Sequence, residues 1–175
     1  YVNPPVITGT VSCRNLTINP GATLTISGTP TTGGTYNYTV TTTGNACTTA
    51  SLGGTITVNS LIDWANLQFP TTATICPSGT VNVYGRFYEN GVTPPAGAPS
   101  NVVVELGYST SNTNPNTWAN WTAATFNAQY GNDDEFIGTL SGLAAGIYYY
   151  TFRYSLNGCS YQYGGTNGFW KEQTE

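Results

Sequence analysis

The chain has 175 residues, of which 7% are Asp, Glu, Lys or Arg and 39% are hydrophobic, and its formal net charge is −4. With Lys and Arg together numbering 4, there is no basic surface to neutralise a phosphate backbone, which argues against nucleic-acid binding. The 13 tyrosines argue against a disordered chain, and the wealth of Thr, Val, Ile and Tyr selects strands over helices. No apolar run reaches the length of a membrane span, so no membrane insertion is expected. No basic segment leading into an apolar stretch opens the chain, so a signal peptide is expected to be absent or already removed.

In chain order, Pro4-Pro5 precedes the apolar pair Val6-Ile7. Alternating runs at 15–18, 23–26, 35–40 and 55–58 then place Leu, Ile, Val or Tyr on one face and Thr or Asn on the other. That period of two marks strands with one face in a core. Turn signals separate them at 19–21, 28–30 and 53–54. Near Asn59-Ser60 the character changes from Thr-rich to a stretch that holds all four tryptophans and all the acidic residues. This predicts two domains, 1–60 and 61–175.

The second domain opens with 61–69 and continues with a long strand at 80–88 and a Pro/Gly loop at 91–99. Further strands are predicted at 101–108, 122–130 (the weakest), 135–140, 146–156 and 160–163. No helix is predicted, and only 118–124 is ambiguous. About seven short strands with regular turn punctuation predict an all-β chain of sandwich type.

Four cysteines, Cys13, Cys47, Cys76 and Cys159, allow three pairings. The absence of histidine and of any C-x-x-C spacing weighs against zinc. Four free buried thiols are the alternative to two disulfides. The extracellular character of the composition favours disulfides, expected as Cys13–Cys47 and Cys76–Cys159, one in each domain.

Two resemblances rest on longer motifs. Gly28-Thr-Pro-Thr-Thr-Gly-Gly-Thr-Tyr-Asn-Tyr-Thr-Val40, followed by Gly53-Gly-Thr-Ile-Thr-Val58, resembles the PKD-like repeats of large surface adhesins of gliding bacteria. The second domain carries Val83-Tyr-Gly-Arg-Phe-Tyr-Glu-Asn-Gly-Val-Thr93, Asn116-Thr-Trp-Ala-Asn-Trp-Thr122, Gly131-Asn-Asp-Asp-Glu-Phe136 and Ala145-Gly-Ile-Tyr-Tyr-Tyr-Thr-Phe-Arg-Tyr-Ser155. This set resembles the accessory module of extracellular amylopullulanases and lamin-tail-domain surface proteins. The resemblance implies immunoglobulin-like or fibronectin-III-like β-sandwich units in tandem. It also implies an extracellular or bacterial cell-surface location, reached by type IX secretion, as a piece of a longer protein.

Without histidine no Ser-His-Asp arrangement is available. The carboxylates Asp63, Glu89, Glu105, Asp133, Asp134 and Glu135 sit in no hydrolytic motif, so the chain is expected not to be an enzyme. The run Asn132-Asp133-Asp134-Glu135 is a candidate calcium site, the alternative being a solvated turn; no other cofactor is expected. Asn15, Asn37 and Asn120 open matches to the N-glycosylation acceptor, to which no function is assigned.

In the strand around Tyr149, alternation sends Tyr148, Tyr150, Phe152 and Tyr154 to the core and Tyr149 outward beside Arg153. Exposed rings at Trp118, Trp121, Tyr149 and Trp170 are the candidate ligand contacts, because aromatic faces stack on sugars; the alternative is cross-strand packing. The expected role is a structural or adhesive module that contacts neighbouring domains of a larger surface protein. A carbohydrate-binding accessory module, with polysaccharide or cell-surface glycan as partner, is the alternative. A filament subunit that docks through its Pro-rich start is a third.

Overall fold

The structure is a computed structural model that describes residues 33–41 and 51–171. The chain divides into two compact units, Tyr1–Val58 and Asn59–Glu175. It is all-β, and its described residues include no α-helix. The predicted strands before residue 33, the Pro-rich start and the Cys13–Cys47 pair lie outside the described residues.

In the first unit β1 (Gly34–Thr41) and β2 (Ser51–Val58) form an antiparallel hairpin in unbroken register, from Gly34 opposite Val58 to Thr41 opposite Ser51. Alternation puts Tyr36, Tyr38 and Ile56 on one face and Asn37, Thr55 and Thr57 on the other. On the polar face Thr55 Oγ1 donates to Asn37 Oδ1 at 3.0 Å. On the other the Tyr38 ring lies flat over Gly54, where an added Cβ would come within 2.4 Å of it.

The second unit begins with β3 (Trp64–Phe69), β4 (Thr80–Tyr88) and β5 (Val102–Ser109). A 3-10 turn at Pro115–Thr117 precedes β6 (Asn120–Ala123), β7 (Thr125–Tyr130) and β8 (Asp133–Ser141). It ends with β9 (Tyr149–Leu156), β10 (Gln162–Gly165) and the short β11 (Gly168–Phe169). These strands make one curled sheet in the order β6-β5-β9-β10-β3-β4-β8-β7, with β11 beside β10. All pairings are antiparallel except β10 with β3, which run parallel through Gly165 and Asn66.

The predicted strand 122–130 is two strands. Ala124 separates them, and β6 pairs with β5 while β7 pairs with β8. The two outermost strands of the sheet are therefore consecutive pieces of chain. The Ala124 N–H anchors the switch by donating to Val104 O at 2.9 Å.

The curl encloses a core of Val83, Phe87, Val104, Leu106, Phe136, Phe152 and Tyr154, with Ala65 and Leu67 from β3. Phe87 lies 5.6 Å from the Tyr154 ring and 5.9 Å from that of Phe136, both tilted. Each buried large apolar side chain contributes about 1.5–3 kcal/mol, and each favourable ring pair about 0.5–1.5 kcal/mol more. Tyr154 reaches through the core to donate to Asn66 O at 2.8 Å, which satisfies its hydroxyl. Burial pushes that phenol well above the usual tyrosine range.

After β9 the dipeptide Asn157-Gly158 turns the chain with φ of 52° and 74°, the pair of left-handed residues a type I′ turn needs. Cys159 N closes the turn on Leu156 O at 2.9 Å. This geometry overturns the expected Cys76–Cys159 disulfide: both thiols are free. Cys76 lies beside Tyr148 and Tyr150 at the start of β9, whereas Cys159 follows the end of that strand. From Tyr150 to Leu156 an extended strand runs about 20 Å. A disulfide requires Cα atoms within about 7 Å.

Candidate functional site

The acidic run is dispersed by strand alternation. Asp134 pairs with Phe87 across β8 and β4 and faces inward, while Glu135 pairs with Arg86 and faces outward. The Arg86 guanidinium binds Glu135 Oε2 at 3.0 Å and lies 3.8 Å from the centroid of the Tyr130 ring. Asn127 Nδ2 donates to the other carboxylate oxygen at 2.7 Å. The calcium expectation at Asp133, Asp134 and Glu135 is thereby corrected. The three carboxylates do not converge, and no group of three or more metal-ligating acids or thiols occurs among the described residues.

Asp134 is fully buried, and neither carboxylate oxygen has a hydrogen-bond partner among the described residues. Burial, and secondarily the neighbouring Asp133 charge, raise its carboxyl from 3.8 to about 6. Below about pH 4 the group is neutral in both folded and unfolded chains. Above pH 6 the folded state must hold a buried charge that the unfolded chain hydrates, so this group's contribution to stability is lost as pH rises. Asp134→Asn is expected to raise stability at pH 8 by on the order of 2 kcal/mol, with the gain fading near pH 4. Urea denaturation at both pH values checks this; an equal difference at the two would refute it.

The other carboxylates are engaged or enclosed. Asp63 accepts the Asn90 N–H at 3.2 Å. Glu89 is buried, and that burial, followed by the Asp63 charge, raises its pKa. Glu105 accepts the Arg153 Nε–H at 2.7 Å, and this bond holds its carboxyl below the usual range.

Arg153 also organises the outer face of the sheet. Its guanidinium carbon lies 4.3 Å from the centroid of the Trp121 ring and 4.0 Å from that of Tyr161. Trp121 lies over Gly107, its cross-strand partner, where an added Cβ would come within 2.3 Å of the indole. Its Nε1 donates to Trp118 O at 2.9 Å, and Tyr163 packs on it at 5.9 Å. Trp121 is packed against its own protein through these contacts and does not line the groove that Trp118 lines.

Trp118 stands at the end of this stack, 6.0 Å from Trp121 with the rings near parallel at 25°. Its position is set by the 3-10 turn, which Asn114 caps by accepting the Asn116 N–H at 3.1 Å. The Trp118 Nε1 donates to Thr113 O at 3.1 Å, so this indole presents a ring surface and no free donor. Trp118, Tyr149 and Trp170 line one open groove of about 1020 Å³. Asn112, Asn114 and Asn167 contribute amides to the same groove, and Lys171 is its only charged residue among the described residues. Tyr149 is 38% exposed, as its outward alternation predicts.

Of the four candidate aromatics, the structure thus gathers three in the groove and places Trp121 behind them. Tyr148, which also lines the groove, packs edge-on against Tyr108 at 5.8 Å. Its contribution, like those of Asn112 and Asn167, escaped the sequence reading; the cluster of Asn, Thr and Pro at 111–117 was the available signal. Comparison with known protein families, with curated proteins and with solved structures finds no match to this chain.

Proposed function

We propose that the chain is a non-catalytic structural and adhesive module of a secreted bacterial surface protein, built as two immunoglobulin-like or fibronectin-III-like units in tandem. In this reading it acts by holding a contact surface on a rigid sheet. The observation that carries it is the meeting of Trp118, Tyr149 and Trp170 in one groove. The elements that deliver these rings are fixed by β9, by the β10–β11 hairpin and by the capped turn before β6, so little ordering cost remains at binding. The lack of histidine and the arginine pairing of Glu105 and Glu135 favour contact over chemistry.

Labelled chain is expected to bind bacterial surface material saturably, and Tyr149→Ala is expected to weaken that binding while leaving the thermal midpoint within about 2 °C. Saturable binding that Tyr149→Ala and Trp118→Ala leave untouched would place the contact surface elsewhere.

A further inference from the structure

The composition of the groove selects a chemical class of ligand. We propose that it binds a segment of neutral polysaccharide, with sugar rings stacked on Trp118, Tyr149 and Trp170; this rests on the groove being the contact surface. An aromatic face is the negative side of a quadrupole and attracts the weakly positive C–H face of a hexose. The hydroxyls around a sugar's rim need partners that both donate and accept, which Asn112, Asn114 and Asn167 supply from the groove wall. Asn114 already accepts the Asn116 N–H through Oδ1, leaving its amide N–H groups to donate.

Two competing ligand classes fit less well. With Lys171 as the only charge in its lining among the described residues, the groove has little to offer a uronate or sulfated chain. Among the described residues, the aliphatic side chains that an apolar peptide would seek are reduced to Leu67 and Ala73. Its volume of about 1020 Å³ lies at the upper end for small-molecule pockets, and it is open, so it suits several consecutive sugars of a chain over a single enclosed monosaccharide.

The test is titration of the whole chain, followed by tryptophan fluorescence and calorimetry, with neutral gluco-, xylo- and manno-oligosaccharides and with oligogalacturonate of matched length. At least one neutral series is expected to bind, with affinity rising from the disaccharide to the hexasaccharide and unchanged between low and high salt. Tyr149→Ala and Trp170→Ala are each expected to weaken it about tenfold. Because both residues are partly or largely exposed, these variants keep the fold, and a matched circular dichroism melt verifies it.

Absence of binding by every neutral series would overturn the proposal, as would tighter, salt-sensitive binding of oligogalacturonate or neutral binding unaffected by both variants. If neutral sugars fail but Tyr149→Ala still abolishes attachment to surface material, the contact reading stands and the ligand is not a neutral polysaccharide. If Tyr149→Ala affects neither, both fall.

Discussion

Phe87→Ala is expected to destabilise the second unit by about 3–5 kcal/mol, among the largest effects of a single truncation in this core. Phe87 has no exposed surface and sits between Tyr154 and Phe136, so its removal opens a cavity against two aromatic rings at once. Those rings cannot close over the space easily. Tyr154 is tethered by its bond to Asn66 O, and Phe136 is packed edge-on against Phe126 at 5.8 Å. The midpoint of thermal unfolding should fall by roughly 10–20 °C. Phe87→Leu, which refills most of the volume, should lose less than half as much. A loss below about 1.5 kcal/mol for Phe87→Ala in urea denaturation would show that the rings do collapse into the space.

Gly164→Ala is the second large effect, and it acts on the backbone. A Cβ at Gly164 would lie 2.6 Å from the carbonyl carbon of Asn66 and 2.8 Å from Leu67 N. Both are main-chain atoms of β3 and cannot rotate away, so β10 must move off β3. The expected cost is about 2–3 kcal/mol. Because Gly164, Gly165 and Trp170 line the groove, ligand contact should weaken in parallel. Hydrogen exchange should show protection lost across 162–169 and kept in β4 and β8, whose pairing extends over eight residues. Gly146→Ala is the control. Its Cβ would meet only the Tyr148 ring, at 3.5 Å, and the change should lie within about 0.5 kcal/mol of wild type.

Much of the second unit could be read from alternation because its strands are two-faced. The inward set Phe152 and Tyr154 and the outward pair Tyr149 and Arg153 follow from period two alone. What period two cannot report is pairing. The strand predicted at 122–130 changes partner at Ala124, yet the backbone stays extended through the switch and no Gly or Pro marks it. The cysteine pairing failed for a related reason. Order along the chain placed Cys76 early and Cys159 late, but not at opposite ends of β9.

The candidate site was half legible. Trp118, Tyr149 and Trp170 were identifiable as large rings in turns or on an outward face. Their meeting depends on which ends of β9, β10 and the 115–117 turn adjoin, and no local pattern encodes that. The packing of Trp121 was not legible because its neighbours Gly107 and Arg153 come from other strands, and only the register of β5 with β6 and β9 brings all three together. The acidic run illustrates the reverse: three adjacent carboxylates look like one site in sequence and become three environments once a strand sets them on alternate faces.

The parallel contact of β3 with β10 has a mechanical consequence. The first strand of this unit and the strand next to its last run side by side in the same direction. Tension entering before β3 and leaving after β11 first peels away the two-pair β10–β11 hairpin, and from then on it pulls β3 and β10 in opposite senses along their length. Such a load shears the hydrogen bonds that hold β3 to β4 and β10 to β9 together, where a hairpin pulled from its open end would unzip them one at a time. Five register pairs join β3 to β4, and they share the force from the start. A unit wired in this way resists extension through its lifetime under load, set by the rate of forced opening and not by its equilibrium stability at rest.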